Sequence, residues 1–237
     1  MPRRPPPISR AKRHLVPKPP PQVIGAVSDP NYLRKVPLDY RASQPIDFYP
    51  SKPERIEADV LEIGPGRGDF LMTTAQQHPE LRFVAVELGK KRHAKLIERS
   101  QKRNLENVLL ILSDARVALP KFFDAATVSS VVVLFPDPWP KRRHAFNRLL
   151  QPGFLIEIAR VLRPGGHLYV KSDVEAYLVW VREQVARLPQ YRLVEDLWPW
   201  GPVDGQDGKT LSLFADRQTG FGYGIHSLCM LRTAEER

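Results

Sequence analysis

Glycines at alternate positions and an acidic residue further along the chain are the first residues whose spacing could serve chemistry. The segment Leu61–Phe70 reads Leu-Glu-Ile-Gly-Pro-Gly-Arg-Gly-Asp-Phe, with its glycines at Gly64, Gly66 and Gly68. Glycine has no Cβ, so such a turn bends tightly and lets a ligand approach the backbone. Glu87 follows Gly68 by 19 residues (87 − 68). A carboxylate there can accept hydrogen bonds from both ribose hydroxyls of an adenosine-containing cofactor.

A dinucleotide is the first alternative, because its fingerprint also joins a glycine turn to a later acid. That fingerprint is G-x-G-x-x-G, whereas this sequence has G-x-G-x-G followed at once by Asp69. An acidic residue at the start of a helix fits poorly with a pyrophosphate docked there. Glu62, just before the glycines, suits a cationic ligand instead. A methionyl group with its amine and sulfonium is such a ligand, which indicates S-adenosyl-L-methionine.

A second candidate for chemistry is a proline-rich loop, Phe-Pro-Asp-Pro-Trp-Pro-Lys-Arg-Arg-His at 135–144. Its three prolines remove backbone donors and fix φ, so the segment is a rigid loop that presents Asp137 beside the methyl group of the cofactor. Trp139 could stack on a base. Lys141, Arg142, Arg143 and Arg148 could meet phosphates. Taken singly, these features fit a packed connection and a solvated charge run equally well.

These residues must be positioned by the elements between them. Short apolar runs occur at Asp59–Ile63, Phe83–Val86, Val108–Leu112, Val128–Phe135 and His167–Lys171. Helical periodicity separates them at Asp69–Gln77, Lys90–Arg103, Phe154–Leu162 and Val174–Leu188. Alternating strands and helices predict a mostly parallel sheet with helices on both faces, a Rossmann-like α/β fold. Such a sheet binds its ligands beyond the carboxyl ends of the strands.

Composition divides the chain into two parts. Of the 24 prolines, 12 lie in residues 1–50, which also carry nine Lys or Arg against three Asp. We expect residues 1–50 to be a basic arm whose first twenty or so residues are extended and mobile, and residues 51–237 to form one domain. The arm either contacts nucleic acid or is a solvated tail. The formal net charge of +10 fits a polyanionic partner or, equally, a basic surface kept for solubility.

Some classes of site are excluded by the sequence. With Cys229 as the only cysteine, neither a disulfide within the chain nor a zinc cluster can form, which favours a reducing cytoplasm. The apolar run Ala125–Pro136 is too short to span a bilayer. No apolar segment follows the basic N-terminus, so a secretory signal is not expected. We expect a cytoplasmic protein with no membrane partner and no metal, as a monomer or a homodimer.

Three segments together carry a family resemblance. Leu61–Phe70, Val84–Glu87 and Ser113–Ala115 look like the first three cofactor motifs of class I S-adenosylmethionine-dependent methyltransferases. The resemblance implies a seven-stranded sheet, with the glycine turn and Glu62 at the cofactor, Glu87 at its ribose and Asp114 near its adenine. Turn glycines and exposed acids alone would not explain why acids close three successive strands.

The segment Phe135–His144 closely resembles the signature of bacterial tRNA (guanine-N7)-methyltransferases. Further matches are Leu149-Leu150, Phe154-Leu155, Leu162–Gly166 and Lys171–Asp173, so the resemblance covers roughly residues 58–188. It implies methyl transfer from S-adenosylmethionine to guanine N7 in the variable loop of tRNA. It also implies that Asp137 contacts the cofactor and that Asp137, Lys141 and Asp173 face the guanosine.

The chemistry of guanine agrees with that assignment. N7 carries an in-plane lone pair and no proton, so its attack on the methyl group needs no general base and depends mainly on alignment. The product is cationic, which gives Asp137 a catalytic role in stabilising developing charge. Asp173 could accept hydrogen bonds from guanine N1–H and its exocyclic amine, which would select guanine over adenine.

The match weakens near the C-terminus. The family carries T-x-[FY]-E there, and the matching residues are Ser212-Leu213-Phe214-Ala215, so Ser212 and Phe214 are expected to bind substrate while the Glu is missing. The loop also has Ala145-Phe146-Asn147 where the family usually has more cations. A methyltransferase acting on another RNA, a DNA base or a small molecule therefore stays open. So does a non-catalytic RNA-binding module on the same fold.

Overall fold

A computed structural model describes residues 23–26, 56–194 and 224–233, and its centre is a twisted sheet with helices on both faces. The strands are β1 Val23–Ala26, β2 Ala58–Ile63, β3 Phe83–Glu87, β4 Val108–Leu112, β5 Val128–Leu134, β6 Leu162–Ser172, β7 Tyr191–Val194 and β8 His226–Arg232. The helices are α1 Asp69–Gln77, α2 Lys90–Lys102, α3 Ala115–Phe122, α4 Pro152–Val161 and α5 Glu175–Val185, with a 3-10 helix at Arg142–Asn147.

The sheet has eight strands in the order β1-β4-β3-β2-β5-β6-β8-β7. Neighbours from β1 to β6 are parallel, and β8 runs antiparallel between β6 and β7. The predicted Rossmann-like fold is confirmed: seven strands lie within residues 56–233, and β1 adds a short strand beside β4 from the segment predicted as an arm. Because β3 and β5 flank β2 on opposite sides, the strand order reverses there, and such switch points hold ligands.

Alternation along the strands builds the core on both faces of the sheet. Val60 and Leu61 are adjacent on β2 and both almost fully buried, yet they belong to different hydrophobic clusters. The same division separates Val132 from Val131 and Val133 on β5. Successive side chains of a strand point to opposite faces, so a strand that is apolar throughout must be covered on both. This rigid centre fixes the loops that follow β2, β3, β4 and β5.

Among the residues that the structure describes, no helix is long and apolar enough to cross a membrane. Within the same residues, no three His, Cys, Asp or Glu side chains lie close enough together to hold a metal ion.

Candidate active site

A cavity of about 750 Å³ opens at the carboxyl ends of four parallel strands. Its walls are Ile63 and Gly64 after β2, Val86–Leu88 at the end of β3, Ser113–Arg116 after β4 and Leu134–Asp137 at the end of β5. The remaining wall comes from the loop and 3-10 helix that follow β5, and from one side chain of α2. The cavity lies at the edge of the sheet where the strand order predicted a ligand site.

The glycine turn borders this cavity through Gly64 and is held in an unusual backbone conformation. Gly64, Gly66 and Gly68 have φ of +71°, +59° and +74°, a region that side chains with a Cβ rarely adopt. A Cβ on Gly68 would lie 2.2 Å from Leu96 Cδ2 of α2, whereas nothing lies within 4 Å of one on Gly64 or Gly66. Gly68 therefore packs the turn against α2, and Gly64 leaves open space on the side that lines the cavity.

Glu87 ties the turn to the end of β3. Its Oε2 accepts from the backbone N–H of Gly66 at 3.1 Å, and its Oε1 accepts from Gly89 N–H at 2.7 Å. Arg92 Nη1 of α2 lies 3.8 Å from Oε1. A carboxylate has about four lone-pair sites, so two backbone donors leave capacity for further hydroxyl donors. Glu87 thus lines the cavity as a preorganised acceptor, as its place in the sequence predicted.

Glu62 is buried directly before the turn and forms no ion pair with the residues that the structure describes. Its side chain is 2% exposed, and its Oε2 has no hydrogen-bond partner among the residues described. Burial, together with the nearby carboxylates of Glu87 and Asp69, raises the pKa of Glu62 to about 8. A buried polar atom without a partner is costly. A ligand that carries positive charge would supply the missing interaction. The ammonium and sulfonium of a methionyl group carry such a charge and therefore fit this site.

Asp114 caps the helix that follows β4. It is buried, lines the cavity and accepts from the Arg116 backbone N–H at 2.8 Å at the start of α3. The Arg116 guanidinium donates to both carboxylate oxygens, and this hydrogen bonding raises the pKa of Arg116 above its ordinary value. The pair presents a fixed polar edge to the cavity. Arg116 was not singled out in the sequence, although its place two residues after the acid would have indicated it.

Asp137 stands at the tip of a strained loop. Phe135 and Trp139, on either side of it, have φ of +50° and +42° although neither is glycine. The N–H of Phe135 donates to the Lys171 carbonyl of β6 at 2.8 Å, which fixes the base of the loop. Such conformations cost roughly 1–3 kcal/mol each and persist only where the surroundings impose them. The strain holds an exposed Asp137 at the cavity wall, where the prolines predicted it.

Arg148 stabilises that loop through its guanidinium. Its Nε donates to the Pro138 carbonyl at 3.0 Å, its Nη2 donates to the Trp139 carbonyl at 3.3 Å, and its guanidinium lies 4.6 Å from the centre of the Trp180 ring on α5. These contacts use Nε and Nη2 and connect the loop to α5. That Arg148 also meets a phosphate stays a prediction.

The expected substrate residues are more dispersed. Lys141 is exposed just before the 3-10 helix, and Asp173 is half-buried just after β6. Both lie near the carboxyl edge of the sheet, but neither lines the cavity. Ser212 and Phe214 lie outside the described residues.

Besides Arg116, four cavity residues were missed by sequence reasoning: Leu88, Arg92, Phe146 and Asn147. Leu88 is 45% exposed and offers an apolar wall next to Glu87. Phe146 is 56% exposed, a costly state for an aromatic side chain. The sequence signal for Phe146 was the segment Ala145-Phe146-Asn147, which departs from the family pattern by having an aromatic residue where cations were expected.

Comparison with known proteins identifies relatives over most of the chain. A family model described as "Putative methyltransferase" matches residues 57–206. A tRNA (guanine-N(7)-)-methyltransferase of Nitrosomonas europaea is 31% identical over 180 residues, 76% of this chain and 79% of its own length. The protein of that name from Syntrophotalea carbinolica is 33% identical over 84% of this chain and 83% of its own length.

Solved structures agree on the fold. The crystal structure of the 16S rRNA methyltransferase KamB superimposes with a TM-score of 0.53 at 17% identity, covering 77% of this chain and 91% of that one. At such low identity the likeness supports the architecture of the sheet and its helices.

Proposed function

The chain belongs to the tRNA (guanine-N7)-methyltransferase family, and from that membership we propose that it transfers the methyl group of S-adenosylmethionine to N7 of a guanosine in tRNA. The observation that carries the proposal is one cavity bordered both by the glycine turn with Glu87 and by the loop that presents Asp137. A nucleoside cofactor and a nucleobase can therefore meet at its centre. The sequence resemblance further leads us to propose the variable loop as the target.

Residues that line the cavity, together with Glu62 buried beside it, suit the cofactor. We assign the ribose to Glu87, the cationic methionyl portion to Glu62, whose buried oxygen has no partner among the described residues, and the adenine to the wall of Leu88 and Asp114. Gly64 leaves the approach to the backbone open. The bound cofactor supplies an electrophilic methyl group on a sulfonium. No protein nucleophile is required, and Cys229 is buried on β8.

The protein's contribution to the reaction is alignment and electrostatics. The strained loop fixes Asp137, and Arg148 fixes the loop, so the carboxylate need not reorganise when charge develops on the purine. Guanine N7 has no proton to remove, so no side chain acts as a general base. Lys141 and Asp173, at the same edge of the sheet, are proposed to hold the guanosine. With the cofactor bound, these residues would act chiefly by aligning guanine N7 with the methyl group to be transferred.

The aromatic wall of the cavity suits a base withdrawn from the tRNA. Trp139 is 36% exposed and Phe146 56% exposed, and both line the cavity. Unstacked bases of RNA are commonly received by aromatic side chains. We propose that the target guanine stacks against this wall, with Phe146 serving where related sequences have a cation.

Replacing Phe146 with alanine should then weaken tRNA binding by about 1–3 kcal/mol, the range for one stacked base. The loss should appear in KM for tRNA, and Phe146→Tyr should restore most of it because the ring is kept. Affinity for S-adenosylmethionine should not change. If alanine and tyrosine give the same KM as the parent, the ring does not contact the substrate.

Replacing Glu87 with alanine should weaken cofactor binding by about 1–3 kcal/mol, since it removes charge-assisted hydrogen bonds. Isothermal titration with S-adenosylmethionine measures this directly. The carboxylate also holds the N–H groups of Gly66 and Gly89, so Glu87→Gln, which retains one oxygen, should lose less. Equal affinity in parent and alanine variant would contradict the ribose assignment.

The function itself is tested by incubating the protein with S-adenosylmethionine and tRNA lacking 7-methylguanosine, followed by mass spectrometry of the nucleosides. We expect 7-methylguanosine, and cleavage of the tRNA at the modified base should map it to the variable loop. A non-catalytic RNA-binding module would bind the tRNA and produce no methylated nucleoside.

We also propose that residues 1–50 act as a basic arm on the tRNA, although apart from β1 they lie outside the described residues.

A further inference from the structure

Helix α2 carries more positive charge than any packing role requires. Six Lys or Arg residues lie in Lys90–Lys102 against one acid, Glu98. The helix packs on the sheet through His93, Leu96 and Ser100, and its other faces are largely exposed. The charge therefore lies on the solvent side, where a partner could contact it.

The cations at the two ends of α2 differ in the acidic residues near them. Towards the C-terminal end, Lys102 pairs with Glu98 and Arg99 Nη2 lies 2.7 Å from Asp69 Oδ1. The first turn begins Lys-Lys-Arg and holds no acidic residue of its own, and its Arg92 faces Glu87 of β3 at 3.8 Å. Positive side chains at a helix N-terminus face the positive end of the helix dipole and are unfavourable there. An anionic partner at this end would offset the repulsion among the neighbouring cations and their repulsion from the helix dipole.

The N-terminal end of α2 borders the active-site cavity. Arg92 lines the cavity beside Glu87. Arg67, exposed on the glycine turn, is joined to the helix one turn beyond Lys95, where its carbonyl accepts a hydrogen bond from Arg99. On the loop side of the cavity, the exposed cations Lys141–Arg143 end three residues before the cavity residue Phe146. Positive charge therefore flanks the cavity on the cofactor side as well as on the loop side.

We propose that the exposed cations Arg67, Lys91 and Lys95 form a second phosphate-binding surface for the tRNA, on the cofactor side of the cavity. This proposal rests on the proposed function, which supplies a polyanion whose target base enters the cavity. Phosphate contacts position a nucleic acid without reading its sequence. With cations on both sides of the cavity, the tRNA backbone would be held across the opening of the cavity while the target base enters it.

The test compares two pairs of substitutions on the same helix, each removing two positive charges. Lys91→Gln with Lys95→Gln alters the proposed surface, and Lys102→Gln with Arg103→Gln alters the opposite end. The dissociation constant for unmodified tRNA is measured from low to high salt. Each lost phosphate contact flattens the slope of log K against log salt by about 0.7–0.9. The first pair should therefore flatten it by about 1–2, while the second pair leaves it unchanged.

Three further readouts decide the interpretation. Thermal shift with S-adenosylmethionine should be the same in both variants, and the single-turnover rate at saturating tRNA should match the parent. Equal loss of tRNA affinity in both pairs, or no loss in the first pair, would overturn the proposal. Binding of phosphatidylserine vesicles that depends on the first pair, with tRNA binding unaffected, would assign the surface to a membrane instead. A parent that binds tRNA through this surface but forms no 7-methylguanosine would refute the proposed function and retain the surface.

Discussion

The Asp137→Asn variant is expected to turn over about 30- to 1000-fold more slowly than the parent, a loss of roughly 2–4 kcal/mol in transition-state stabilisation. Asparagine keeps the size and hydrogen-bonding reach of the side chain and removes only the negative charge. Methyl transfer to N7 makes the purine cationic, so the charge is the property that the reaction would use. Single-turnover methylation of tRNA measures the step without contributions from product release.

The pH dependence of the same variant separates electrostatic stabilisation from proton transfer. A missing general base can sometimes be compensated at higher pH. Because the reacting nitrogen carries no proton, the rate of Asp137→Asn should stay low across the pH range. Recovery of the rate at high pH would contradict the proposed role.

Cofactor affinity provides the control for Asp137. Binding of S-adenosylmethionine should fall less than turnover, because Glu62, Glu87 and Asp114 are unchanged. Glu183→Gln removes an exposed charge on α5, outside the cavity lining, and should behave as the parent in both measurements. A near-parental rate for Asp137→Asn would show that Asp137 is not catalytic.

The glycine turn and the position of Glu87 were predictable from the sequence, while their roles toward a cofactor stay predictions. Glycines at alternate positions allow the positive φ angles of the turn, and the acid at the end of the next strand accepts from Gly66. Parallel strands bring their carboxyl ends to one edge, so Glu87, Asp114 and Asp137 could be placed at one cavity from their order in the chain.

Other elements could not be read in this way. Helix α3 was missed because it has only 8 residues and contains Pro120, which ordinarily argues against a helix. Strand β6 was expected from His167 onward, but it begins at Leu162 and continues through the turn glycine Gly165, whose φ is +78°. Its register with β5 shifts between Val128 and Ser130, and pairing across strands is not visible in one strand's sequence.

The role of Arg148 depends on tertiary contacts alone. In the sequence it continues a basic run, and basic runs near nucleic-acid sites usually indicate phosphate contacts. In the structure, its guanidinium donates to two loop carbonyls and lies over the ring of Trp180 on α5. Trp180 lies 32 residues further along the chain (180 − 148), so no local pattern could have indicated the contact.

The Glu62→Gln variant is expected to change fold stability and cofactor affinity in opposite directions. The pKa of Glu62 is about 8 in the folded protein, against an ordinary value of 4.5. Between these pH values the unfolded chain is ionised while the folded protein retains a proton, so the folded state loses stability as pH rises, by at most about 1.4 kcal/mol per pH unit. Glutamine does not ionise and escapes that loss.

Thermal unfolding without cofactor, at pH 5.5 and pH 7.5, measures the first effect. From the lower to the higher pH, the melting temperature of the parent should fall relative to that of Glu62→Gln. Glu87 and Asp69, which also raise the pKa of Glu62, are present in both proteins, so the comparison isolates the side chain at position 62. Parallel pH dependences would show that Glu62 is ionised in the cofactor-free fold.

Isothermal titration measures the second effect. A cationic methionyl group should favour the ionised carboxylate, so binding of S-adenosylmethionine to the parent near pH 7 should release a proton. The observed enthalpy should therefore depend on the ionisation enthalpy of the buffer. Glu62→Gln should bind more weakly and show less buffer dependence. If the two proteins bind with equal affinity and equal buffer dependence, Glu62 does not hold the cationic end of the cofactor, and its unpartnered oxygen needs another explanation.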